Sequence, residues 1–123
     1  MSSLEQLKLS GNQIGLKGAQ ALAPVLKRLA ALKVLHLNHN CLDVDGVKAL
    51  VDSLTGMSLL EVLKLRYNKM GSAGAEALAP ALKGLAALGV LDLRGTDPGN
   101  AGRKAVQDAV KDMPALTKLE IWD

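Results

Sequence analysis

The feature that most restricts what this chain can become is a skeleton, L-x-x-L-x-L-x-x-N-x-[ILM], that returns every 28 residues. It occupies Leu4 to Ile14, Leu32 to Leu42 and Leu60 to Met70, decays over Leu88 to Pro98, and begins again at Leu116. A fixed period of that length marks stacked units, none of which can bury its apolar face alone. The reading is one domain, 1–123, made of units 4–31, 32–59, 60–87 and 88–115 with a partial unit at 116–123.

Each unit opens with strand-like alternation and closes with helical spacing. Leucines at unit positions four and six (Leu7 and Leu9, Leu35 and Leu37, Leu63 and Leu65, Leu91 and Leu93, then Leu119 and Ile121) fall on one side of an extended segment. The apolar residues then shift to i, i+4, i+7: Leu22, Leu26 and Leu29 in the first unit, Leu78, Leu82 and Leu85 in the third. Strand then helix, without a break in composition, predicts an α/β solenoid with a parallel sheet on the inside and helices outside. Strands sit about 4.7–4.9 Å apart and helices about 8–10 Å, so the stack must curve with its strands on the concave side.

Position nine holds Asn12, Asn40, Asn68 and Thr96. An inward asparagine amide both donates and accepts, so it can satisfy backbone groups left open where strand turns toward helix. Thr96 has the shorter reach, and the fourth unit is expected to be held less well. Glycine recurs at position fifteen (Gly18, Gly46, Gly74, Gly102), where a side chain would meet the adjacent layer. Pro24 and Pro80 fall within predicted helices and should kink them or mark a start about one turn earlier.

LEQLKLSGNQIGLKGAQALAPVLKRL and its echo LEVLKLRYNKMGSAGAEALAPALKGL resemble the 28-residue leucine-rich repeat of the ribonuclease-inhibitor-like subfamily, shared with the arrays of NOD-like receptors and Ran GTPase-activating proteins. The resemblance implies noncovalent protein binding on the concave strand face or its rim, with no cofactor. Its unvarying step departs from the alternating lengths of many members. A GTPase-regulating role is the catalytic alternative that the resemblance brings with it.

Strand residues alternating away from the leucines face the inner surface. At position three these include Val34, Val62 and Val90; at position five His36, Lys64 and Asp92; at position seven Asn38, Arg66, Arg94 and Trp122. With Tyr67 at the rim they form the candidate protein-binding residues, an apolar track beside arginine and aromatic groups. The plainer account is that valine favours strands, and that Trp122 covers the last core layer. Charge along position five passes from Lys8, His36 and Lys64 to Asp92 and Glu120, which would orient a dipolar partner.

Catalytic and metal sites find little support. His36 and His39 diverge, and no serine or carboxylate completes a triad with them. A nucleophile and base drawn from Cys41 and His39 would depend on loop geometry, and a metal held by the histidines with Asp43 or Asp45 is equally thin. GNQIGLKG lacks the G-K-[ST] of a phosphate loop. Net charge is +3, from fifteen basic and twelve acidic residues, too mixed to imply nucleic acid. No window is apolar enough to span a bilayer, and a single cysteine favours a reducing, cytoplasmic setting. The fourth unit carries a polar helix suited to a terminal layer, whereas Leu4, Leu7 and Leu9 open the chain uncapped. That bare edge predicts either a longer array or pairing with a second copy.

Overall fold

The computed structural model describes residues 3–121, so Trp122 lies outside the described residues. Strands β1 (Gln6–Lys8), β2 (Val34–His36), β3 (Val62–Lys64), β4 (Val90–Asp92) and β5 (Lys118–Glu120) alternate with helices α1 (Gly15–Lys27), α2 (Val44–Thr55), α3 (Gly71–Leu82) and α4 (Gly99–Val110). The strands make one parallel sheet in chain order. Pairing is position to position: Gln6 with Val34, Val34 with Val62, Val62 with Val90 and Val90 with Lys118. The chain is an α/β leucine-rich-repeat solenoid.

Between sheet and helices lies a continuous leucine core. Leu35, Leu37, Leu63, Leu65, Leu91 and Leu93 are buried, and Leu50, Leu54, Leu78, Leu82 and Val106 meet them from the helices. With no phenylalanine in the chain, the layers are filled by leucine and alanine, whose small volume lets α2, α3 and α4 pack closely. Ala75 is buried between units, and a Cβ at Gly102 would meet the Ala75 Cβ at 2.9 Å.

The strands are only three residues long, although alternation runs further in the sequence. Position six still donates to the neighbouring backbone, but regular pairing ends beyond it because the N–H groups of positions seven and nine are taken by side chains. At position seven, Asn38 N–H donates to Ser10 Oγ at 3.1 Å and Arg66 N–H to Asn38 Oδ1 at 2.8 Å, each reaching back to the preceding unit. At position nine the direction reverses: Asn12 N–H donates to Asn40 Oδ1 at 2.7 Å, and Asn40 N–H to Asn68 Oδ1 at 2.8 Å. The Asn68 Nδ2 group donates to the carbonyls of Leu37 and Leu65 at 2.8 and 3.0 Å. The asparagine ladder is therefore present as expected, and a second, antiparallel ladder runs two positions before it.

In a regular strand successive N–H groups point to opposite neighbours, yet those of positions eight and nine both aim at the following unit. Tyr67 N–H reaches Arg94 O at 2.9 Å and His39 N–H reaches Arg66 O at 2.9 Å, just before the asparagine bonds. Position eight achieves this in the left-handed region in all four units, with φ of 76° at Gly11, 56° at His39, 59° at Tyr67 and 70° at Gly95. Two of these are not glycine, so the turn is strained by about 1–2 kcal/mol at each.

Two details depart from expectation, the helix starts and the prolines, and a third, at Thr96, follows it. The helices begin two or three residues before the position-fifteen glycines, and a Cβ at Gly18, Gly46 or Gly74 would run first into its own unit's Ile14, Leu42 or Met70. Only at Gly102 is the nearest atom in the adjacent layer. Pro24 and Pro80 lie inside α1 and α3, close to their C-terminal ends. Thr96 Oγ1 turns back to Leu93 O at 2.7 Å, and Met70 N–H bonds Asn68 O at 2.7 Å, whereas the equivalent Leu42 N–H reaches across to Asn68 Oδ1 at 3.1 Å. Replacing asparagine by threonine thus removes the cross-unit acceptor from the fourth unit.

Asn68 is fully buried and Asn12 exposed. Asn68→Ala should lower stability by about 1–3 kcal/mol through orphaned backbone groups, and Asn12→Ala by clearly less. Urea unfolding of the two variants checks this, and equal losses would contradict the ladder.

Candidate functional site

Parallel stacking without slippage sets the outward residues in rows across the sheet. The valines Val34, Val62 and Val90 lie side by side, half-buried, and with Gln6, Lys8, His36, Lys64 and Lys118 they line a shallow groove of about 370 Å³. Beside it run Lys8, His36 and Lys64 in register. The predicted track therefore exists as one surface. His36 is held below the usual imidazole value, first by desolvation and then by Lys64 and Lys8, and the neutral ring is favoured.

Asp92 departs from its predicted place on that surface. Its residue is fully buried, and its carboxylate receives Arg66 Nε and Nη2 at 3.1 and 2.8 Å. Arg94 adds Nε and Nη2 at 3.0 and 2.9 Å, together with its backbone N–H at 3.2 Å. The last bond has a simple origin. The position-seven ladder would supply an acceptor from the preceding unit, but that residue is Arg66, which has none. Asp92 takes over the task, and Arg66 folds down onto it. Arg94 also meets Glu120 at 3.3 Å, and Lys118 lies 3.8 Å from the same residue. Arg66 and Arg94 accordingly serve as covers of a buried anion, with side chains 32% and 27% exposed.

The expected gradient from basic to acidic along position five is thereby corrected. Asp92 is covered and neutralised and Glu120 is mostly shielded, so the accessible face is cationic from Lys8 to Lys118. Asn38 also carries a structural task, accepting from Arg66 N–H while Ser10 accepts from its own backbone. The one signal of these two roles in the residue pattern is the change at position seven from the acceptors Ser10 and Asn38 to the arginines Arg66 and Arg94.

At the rim, Tyr67 is 54% exposed and its ring stacks on His39 with centroids 4.6 Å apart and planes at 28°. A Cβ at Gly95 would overlap the Tyr67 ring, so glycine there admits both the left-handed turn and the aromatic ring. His39, Tyr67, Cys41, Asp43 and Lys69 surround a second hollow, of about 350 Å³. Asp43 is committed in part, since its carboxylate caps α2 by accepting from Gly46 N–H at 3.0 Å. Among the described residues no group of three or more histidine, cysteine or acidic side chains is arranged to hold a metal. No helix among them is long and apolar enough to cross a membrane.

Repeating parallel strands, backing helices and inward asparagines define a class of protein built as a stacked array of identical units. Residues 1–23, 31–51 and 56–79 match the family model described as Leucine Rich repeat, and the chain belongs to that family. Among solved structures it is similar to one titled Leiomodin-1 Actin-Binding Site 2 (ABS2), with a TM-score of 0.79 at 16% identity over 96% of this chain and 70% of that one. At that identity the likeness is one of fold. No sequence among the curated proteins matches this chain.

Because the native environment disfavours the charged form of His36, the unfolded chain binds the extra proton more readily. His36 thus opposes folding progressively as pH falls through about 6.5. Urea midpoints between pH 7.5 and 5 should decline more steeply for the wild type than for His36→Gln, and parallel curves would contradict the assignment.

Proposed function

We propose that the chain is a noncovalent protein-recognition module that uses its concave strand face and the adjoining rim. The observation that carries this reading is the in-register track Val34, Val62 and Val90, left half-exposed beside Lys64 and flanked by the Tyr67 and His39 stack. Apolar surface at the centre with polar groups at the border is the layout of a binding patch. The leiomodin structure carries an actin-binding site in its title, which is consistent with a protein partner on this fold. The 28-residue repeat and the helical outer layer support placement in the ribonuclease-inhibitor-like subfamily. The free, exposed thiol of Cys41 suits a reducing compartment.

Arg94 is a poor probe of binding, because changing it disturbs Asp92. Val62→Lys fills the groove from an outward strand position, while Lys27→Glu and Lys83→Glu alter exposed residues on the helix side. Proteins captured from a lysate by the immobilised wild type should be retained by the helix-side variants and lost by Val62→Lys. Equal retention by all three would overturn the assignment.

A second reading, self-association through β1, is favoured by a separate observation. Leu4, Leu16 and Val25 are 40%, 39% and 45% exposed, and Leu9, Ile14, Ala21 and Leu22 form an apolar hollow beside them. The Asn12 amide donates to Leu9 and Ser10 carbonyls of its own unit, whereas Asn40 and Asn68 also accept from the unit before. Light scattering across a concentration series should show a rising mass, and a constant monomer mass would exclude this route.

A further inference from the structure

We infer that the groove over the three valines takes an extended, acidic protein segment with apolar residues between its carboxylates. This rests on the concave-face reading and adds the chemistry of the partner. The charge balance of the face points to it. Arg66 and Arg94 bury the one carboxylate that the sheet centre offers, at 2.8 and 2.9 Å. Lys8 and Lys64, by contrast, have no ion-pair partner among the described residues, and both line the groove. Of the three lysines that line the groove, Lys118 meets Glu120 at 3.8 Å, the two over β1 to β3 are left without an ion-pair partner among the described residues, and the carboxylate of the next strand is covered.

Spacing gives the form of the ligand. Lys8 and Lys64 stand on β1 and β3, two strand intervals apart with His36 between them. Two intervals amount to about 9.5 Å, and residues three apart on an extended chain of polyproline-II form lie on the same side, about 9.3 Å from each other. Such a segment running across the strands would set acidic residues at i and i+3 over the two lysines, while one of the intervening side chains in each turn leans toward the row of Val34, Val62 and Val90. Nucleic acid is the less suitable polyanion. The groove has no tyrosine, tryptophan or phenylalanine on which a base could stack, its one small ring, the His36 imidazole, stands between two lysines, and so few cations neutralise few phosphates. The Tyr67 and His39 stack lies outside it, at the rim.

The test uses the full chain and four synthetic probes: a peptide of about ten residues with glutamates three apart and leucine or valine between them, the same peptide with lysine for glutamate, the same with serine for its apolar residues, and a single-stranded oligonucleotide. Binding is read from the NMR methyl shifts of Val34, Val62 and Val90. The acidic apolar peptide should move those methyls, bind at least about tenfold more tightly than the other two peptides, and weaken with added salt. Lys8→Ser with Lys64→Ser should cost about tenfold in its affinity, with an unchanged unfolding midpoint showing that the fold survives. If the lysine peptide binds the valines as well, or the serine peptide binds as tightly, the acidic apolar partner is overturned while concave-face recognition stands. If the oligonucleotide binds more tightly than any peptide, the groove is a nucleic-acid site and the inference fails. Should no probe move the methyls, the acidic partner is overturned, and the capture experiment with Val62→Lys decides the concave-face reading separately.

Discussion

Two opposed ladders of side-chain to backbone hydrogen bonds set the registry of this array. At position seven an amide N–H reaches back to the previous unit's side chain, and at position nine an amide N–H reaches forward to the next unit's asparagine. Strands three residues long pair with too few backbone bonds to resist slipping by themselves. A slip of one residue would send every leucine to the wrong face, and it would also unmake both ladders together. Leucine packing supplies the attraction, and the ladders make one alignment better than its neighbours.

The same device decides which surface residues are available. Ser10 and Asn38 supply acceptors, so their polar ends are turned to the backbone. Where Arg66 interrupts the series, a carboxylate from the next strand must serve, and the arginine is drawn in to compensate the buried charge. Breaking such a cluster by removing Asp92 would leave Arg94 N–H without its acceptor and two guanidinium groups facing each other across the gap. The cluster is thus structural first, and its effect on recognition is indirect: it withdraws negative charge from the concave face. Position three and the first part of position five carry no comparable duty, which leaves the valines, Lys8 and Lys64 to meet a partner.

Much of this could be read from residue order alone. The 28-residue step, the parallel sheet, the leucine layers and the asparagine bonds all follow from periodicity and from the donor and acceptor count of one amide. What could not be read was the use of position seven, because serine and asparagine on a strand look like surface polarity until the adjacent unit is placed beside them. For the same reason Asp92 resembled one more charge in a row. Its burial depends on two arginines from separate strands converging on it, at Arg66 and Arg94, a relation among three units that pattern within one unit does not contain. The position-fifteen glycines are crowded, as their recurrence implies, but the crowding comes mostly from Ile14, Leu42 and Met70 of the same turn, since the helix starts earlier than its apolar stripe suggests.

The rim shows how backbone constraint and recognition meet. Position eight must be left-handed if two consecutive N–H groups are to serve the same neighbour, and glycine meets that demand in the first and fourth units. His39 and Tyr67 accept the strain in the second and third, and their stacked rings, worth about 0.5–1.5 kcal/mol, offset part of it. Glycine on either side shapes the pair's surroundings. Tyr67 lies against Gly95, while nothing stands within 4 Å of the Cβ position at Gly11. One end of the stack is therefore closed by the fold and the other is open to solvent beside the cationic groove. An aromatic pair held in a strained turn thus forms a rim surface of its own, and its hollow shares no lining residue with the valine groove.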